Sequence, residues 1–129
     1  MATIPYYIVQ RVDPRDPTQP TIYYAKVRLK KTVSFRDLVR KISSFSTVNP
    51  PDVMAVMESL IHIVPELMKE GAIVRMGELG SFYPSIKSQG YKSKEEVSSK
   101  GISTTRIRFR PGRLIREEMR GSSFRRQEK

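Results

Sequence analysis

The chain has 129 residues, with 24 Lys and Arg against 13 Asp and Glu, a formal net charge of +11. That length fits one domain, or one domain with an appendage, and the positive excess favours a polyanionic partner, nucleic acid first and anionic membrane second. Cysteine is absent, which excludes disulfides and thiolate metal sites, and no segment approaches the ~20 apolar residues of a membrane span.

Hydrophobic residues make up 38% of the chain, low for a self-contained core, and a small chain of this kind often completes its burial on a partner. MATIPYYIVQ has no basic stretch followed by a long apolar run, so no signal peptide is expected and the default location is cytoplasmic. Residues 4–12, IPYYIVQRV, and 21–30, TIYYAKVRLK, are rich in β-branched and aromatic residues. DPRDPTQP between them marks a loop, so the pair reads as a β-hairpin or as two strands joining other sheets. In the second strand Tyr23, Ala25, Val27 and Leu29 share one face, and Lys26, Arg28 and Lys30 the other.

Residues 34–45 predict a short helix, with Ser34 as cap, Asp37 as its capping-box partner, and Phe35, Leu38, Val39, Ile42 and Phe45 at helical spacing. Asn49-Pro50 opens a second helix running to about Glu70, where Gly71 can end it. From 53 to 68, 11 of 16 residues are Val, Met, Ala, Leu or Ile, too many for a single buried stripe. A second subunit is the expected cover, and Pro65 predicts a kink.

Residues 72–76 then predict a strand, GELG at 77–80 a turn, and 81–88 another strand. The polar stretch 89–103 is expected to be exposed, as a flexible tip or a short local turn. TTRIRFRP returns as the last strand, and Pro111 opens a terminal helix with Leu114 and Ile115 facing inward. The tail 121–129 is expected to be disordered. Strand, strand, helix, helix, three strands and a helix make an α+β protein.

The last strand places Arg106, Arg108 and Arg110 on one face and Thr105, Ile107 and Phe109 on the other. Such a basic face either meets a polyanion or protects an edge strand from pairing with other chains. The residues for catalysis are missing. His62 lies alone in the apolar helix, where an interface histidine is the simpler reading. GELG lacks the lysine and spacing of a P-loop, and Glu95-Glu96 sits in an exposed tip. No enzyme activity, metal, cofactor or small-molecule substrate is expected.

Three stretches together resemble the HU and integration host factor family of bacterial histone-like proteins: the two helices from VSFRDLVRKIS to the end of NPPDVMAVMESLIHIVPELMKEGAIVRM, the turn GELGSF at 77–82, and FRPGRLIREEM at 109–119. They cover about residues 33–119, and the distance from Phe82 to Phe109 suits the family's arm. With its added N-terminal strands the whole chain looks like the extended HU-like proteins typical of Bacteroidetes. The resemblance implies an N-terminal β-strand extension over 1–32, an HU-like DNA-binding domain over 33–120, and a tail over 121–129.

The resemblance further implies an intertwined homodimer whose β-arms clasp the minor groove of duplex DNA with little sequence preference, in the bacterial nucleoid. Arg106, Arg108 and Arg110 would face phosphates or the minor groove. Arg113 would add a phosphate contact, Lys87 would lie on the outgoing strand, and Lys92, Lys94 and Lys100 near the tip. The family's arm tip carries a proline that wedges between base pairs; residues 89–103 have none and contain Glu95 and Glu96. Two other readings stay open: an RNA-binding protein using Tyr6, Tyr7, Tyr23 and Tyr24, and an HU-fold interaction module that has lost DNA bending or binding. Membrane binding lacks a basic amphipathic helix.

Overall fold

A computed structural model describes residues 2–128. The strands are β1 (Thr3–Arg11), β2 (Ile22–Val27), β3 (Val74–Arg75), β4 (Gly80–Ser88), β5 (Ile102–Pro111) and β6 (Ser123–Arg126), and the helices are α1 (Phe35–Phe45), α2 (Pro50–Lys69) and α3 (Arg113–Arg120). They form a mixed α+β fold with two three-stranded sheets, ordered β2-β1-β6 and β3-β4-β5. The chain divides into two compact units, Phe35–Glu117 and the remainder, which combines the residues up to Ser34 with those from Glu118 onward.

In the Phe35–Glu117 unit, local chemistry sets the helix ends. Asn49 has an extended backbone and its side chain accepts the Asp52 N–H at 3.0 Å, while Pro50 and Pro51 occupy positions that need no hydrogen-bond donor. At the other end Gly71 adopts φ +87. Its N–H donates to Met68 O at 2.9 Å and the Ala72 N–H donates to Leu67 O at 3.2 Å, the paired closure that a left-handed residue permits. Pro65 removes one backbone donor, yet α2 continues through it to Lys69.

α1 packs on α2, and α2 packs on β3 and β4. Little is enclosed: the buried hydrophobic residues are Val39 on α1, 2% exposed, and Val53 on α2, 5% exposed. Phe45, Val56, Ile61 and Ile107 stay exposed, and so does His62. Exposed apolar surface on this scale is uncommon on a folded monomer.

The strands of this unit form an antiparallel meander in which Ser81 lies opposite Arg110 and Phe82 opposite Phe109. The Phe82 and Phe109 rings stack at 4.9 Å between centroids. Gly80 has φ +149, and a Cβ there would come within 2.6 Å of the Phe109 ring. Gly112 donates its N–H to Leu79 O at 2.9 Å, and a Cβ on it would collide with the Glu78 carbonyl. The two glycine turns, GELG and PG, therefore lock against each other, and only residues without a Cβ allow that approach.

Beyond Lys87 the ladder carries a bulge, and the tip folds into two short 3-10 turns, Lys94–Glu96 and Ser99–Gly101. Gln89 donates to Gly101 O at 3.0 Å, and the Tyr91 ring covers the buried Gly101. Of the two forms expected for this stretch, local turns are the one found.

In the other unit β1 and β2 form the expected antiparallel hairpin. In its loop the Asp13 carboxylate accepts the Arg15 N–H at 2.9 Å, and Asp16 accepts the Thr18 N–H at 3.1 Å. The tail corrects the sequence reading. Instead of being disordered, Ser123–Arg126 form β6, which pairs in parallel with β1 from Thr3↔Ser123 to Tyr6↔Arg126. Its backbone groups find partners on β1, and that offsets the entropy of ordering four residues.

Candidate nucleic-acid interface

Registered strands place opposed residues on the same side of a sheet, and successive residues on opposite sides. In the β3-β4-β5 sheet Arg75 lies opposite Ser81, and Ser81 opposite Arg110. The next rows on that face are Tyr83 with Arg108, Ser85 with Arg106, and Lys87 with Thr104. Five basic residues therefore share one face: Arg75, Lys87, Arg106, Arg108 and Arg110. Their neighbours are serine, threonine and tyrosine, and β3, β4 and β5 contain no acidic residue. The opposite face carries Phe82, Pro84 and Ile86 against Phe109, Ile107 and Thr105.

Arg106, Arg108 and Arg110 are exposed and form no salt bridge among the described residues. Two residues of strand separate each from the next, about 7 Å. A row of uncompensated charges at that spacing repels itself and is relieved by a bound polyanion. The Arg110 guanidinium lies 5.5 Å from the centroid of the Tyr83 ring, a cation–π contact that limits where this side chain can swing.

Of the other sequence-predicted cations, all but Lys87 stand apart from this row. Arg113 opens α3, and its Nε donates to Glu117 Oε1 at 2.8 Å, so an intrahelical carboxylate already engages it. Lys92, Lys94 and Lys100 are exposed around the folded tip, close in sequence to Glu95 and Glu96, which dilute their field. Lys87 joins the arginine row through its register with Thr104. Arg75 and Tyr83 were missed by sequence reasoning. Each lies in a predicted strand, but strand alternation cannot show which face joins the arginines until the register between strands is known.

Among the described residues no group of three or more His, Cys, Asp or Glu side chains could hold a metal ion. No described helix is long and apolar enough to cross a membrane.

Comparison with known proteins identifies the family and the fold. Residues 1–126 match the HU-HIG family, described as an HU domain fused to a wHTH, Ig, or glycine-rich motif. No curated protein matches the sequence. Among solved structures, a suspected bacterial DNA-binding protein from Bacteroides vulgatus superposes with a TM-score of 0.65 at 12% identity. The match covers 98% of this chain and 49% of that one, so this chain spans about half the length of the relative. At that identity the likeness is one of fold.

Proposed function

The chain belongs to the HU-HIG family, and from that premise we propose that it is a non-enzymatic, histone-like protein that binds duplex DNA as a homodimer. One observation carries the reading: Arg75, Lys87, Arg106, Arg108 and Arg110 converge on one face of a sheet whose strands contain no acidic residue. Arginines facing a duplex make phosphate contacts, which position a protein without reading sequence. Binding is therefore insensitive to sequence, and the protein organises DNA in the bacterial nucleoid. The β4–β5 arm lies along the minor groove. Its tip lacks proline and is closed by Tyr91 on Gly101, so it contributes charge without a wedge.

The case for a second copy rests on the apolar surface. An open groove of about 670 Å³ runs between α2 and the sheet, lined by Leu60, Val64 and Met68 on one side and by Phe82, Pro84 and Ile107 on the other. With only Val39 and Val53 buried among the hydrophobic side chains described, one copy lacks the enclosed core of a stable domain. The groove suits the apolar face of a partner subunit, and sedimentation equilibrium should return twice the mass of the chain.

The test of DNA binding is fluorescence anisotropy of a labelled random-sequence duplex at several salt concentrations. Affinity should fall log-linearly with salt. Replacing Arg106, Arg108 and Arg110 together by alanine removes six arginines from the dimer and should flatten that slope by up to about 5.4, at roughly 0.9 per phosphate, for all sequences alike. An unchanged slope and affinity in the triple variant would remove the arginine row from the binding surface.

A further inference from the structure

The 46 residues outside Phe35–Glu117 hold ten Lys and Arg against four Asp and Glu, and so carry +6 of the chain's +11. The DNA interface proposed above uses none of them. Two of the four acids, Asp13 and Asp16, accept hydrogen bonds within their own loop, and Glu128 lies 3.9 Å from Arg126. The three strands of this unit contain no acidic residue at all.

The register sorts these strands into two unlike faces. One is mostly apolar, with Tyr6, Ile8, Ala25, Val27 and Phe124, and is interrupted by Arg126 opposite Tyr6 and by Gln10 opposite Tyr23. On the other, Lys26 lies opposite Tyr7, Tyr24 opposite Val9, and Arg11 opposite Ile22. At the far end of that face Pro5 is flanked by Arg125 of β6 and by Arg28, whose N–H donates to Pro5 O at 2.8 Å. Cations thus bracket a centre that carries two tyrosines. Tyr7 and Tyr24 are diagonal neighbours, about 7–8 Å apart. Tyr24 is 50% exposed, and the Arg11 guanidinium lies 5.8 Å from the centroid of its ring.

We propose that this Tyr7–Tyr24 face of the β2-β1-β6 sheet binds single-stranded nucleic acid. Charge complementarity selects a polyanion, and the exposed tyrosine selects a polyanion with unpaired bases. In a duplex the bases stack on one another and present phosphate, which the tyrosines cannot use. In a single strand they can stack on an aromatic ring while the surrounding cations follow the backbone. The β3-β4-β5 face carries a single tyrosine in a row of arginines, whereas this one carries two tyrosines ringed by cations. The chain then holds two nucleic-acid surfaces of different preference, one in each unit.

The test titrates labelled oligothymidylate and a labelled duplex against the full chain at low salt. Tyr24→Ala should weaken binding of the single strand about tenfold, the scale of one lost base–aromatic stack, and leave duplex affinity within about twofold. Tyr24→Phe keeps the ring and should retain single-strand affinity, which separates stacking from misfolding. Lys26→Glu should weaken the single strand and spare the duplex. The triple alanine variant at Arg106, Arg108 and Arg110 should do the reverse, losing duplex and keeping single strand. Failure of duplex binding alone would strike the proposed function and leave this inference standing. Absent single-strand binding, unchanged affinity in Tyr24→Ala and Lys26→Glu, or equal loss on duplex and single strand would each overturn it.

Discussion

The β3-β4-β5 and β2-β1-β6 sheets are both three-stranded, and both gather most of their cations on one face and most of their apolar side chains on the other. They recruit their strands differently. The first is a meander of sequence neighbours, pinned where Gly80 and Gly112 bring two turns into contact. The second joins a hairpin from the start of the chain to a parallel strand more than a hundred residues later. Their charged faces differ too: one is a row of arginines spaced along a strand, the other a ring of cations around tyrosines. On the two proposals made above, the same alternation of basic and apolar residues serves different partners. What distinguishes them is the side chain that the register sets between the charges.

Breaking the first sheet at its pin should have the largest effect. Gly112→Ala forces a methyl group into the Glu78 carbonyl and should cost about 3 kcal/mol, the upper range for overpacking, read as a lowered denaturation midpoint. Gly90, where an added Cβ would meet nothing within 4 Å, should accept alanine within about 0.5 kcal/mol. Next, ending the chain after Gly121 removes β6. Hydrogen exchange should then accelerate at the β1 amides that faced it while β4 stays protected, and equal protection in both would mean that β6 contributes nothing to its sheet. A smaller change tests Arg113. Glu117→Gln deletes an exposed ion pair worth about 0.3–0.5 kcal/mol and should raise duplex affinity by up to about twofold if the freed guanidinium meets a phosphate.

The smallest expected effect lies in the β1–β2 loop. Hydrogen bonds from Thr18, its hydroxyl foremost and its amide next, hold the exposed Asp16 carboxyl below its ordinary value of 3.8. The sign follows from linkage. A depressed carboxylate supports the loop above its unfolded value, and that support is lost as pH falls through the lower folded one. The Thr18 amide resonance should therefore titrate with a midpoint below 3.8; a midpoint at or above it would remove the hydrogen bonds from the explanation.

Much of this was legible because the signals were local. Asn49-Pro50 and Gly71 mark the ends of α2 with chemistry confined to a few residues, and the alternation in β5 declares its own faces. The crowding of apolar residues in α2 also announced a surface that one copy leaves open. β6 was illegible for the opposite reason. SFRR has one large apolar residue and four positions, and nothing near it in sequence reveals a partner at Thr3–Tyr6. Arg75 was hidden similarly, since its side of the sheet depends on pairing with Ser81. The engagement of Arg113 by Glu117 was readable in principle from their i,i+4 spacing, but the phosphate role implied by the resemblance drew the reading elsewhere.

The parallel pairing of β6 with β1 also sets a clock on synthesis. The strand made first is the middle of its sheet, and the strand that completes the sheet is made near the end of these residues. Between Val27 and Ser123 the ribosome spends roughly 5–20 s at ordinary elongation rates. Throughout that interval the hairpin must wait as a two-stranded ribbon, which is marginal in water by itself. Tyr6, Ile8 and Phe124 belong to one apolar face, so the nascent chain shows part of that face to its surroundings before Phe124 arrives.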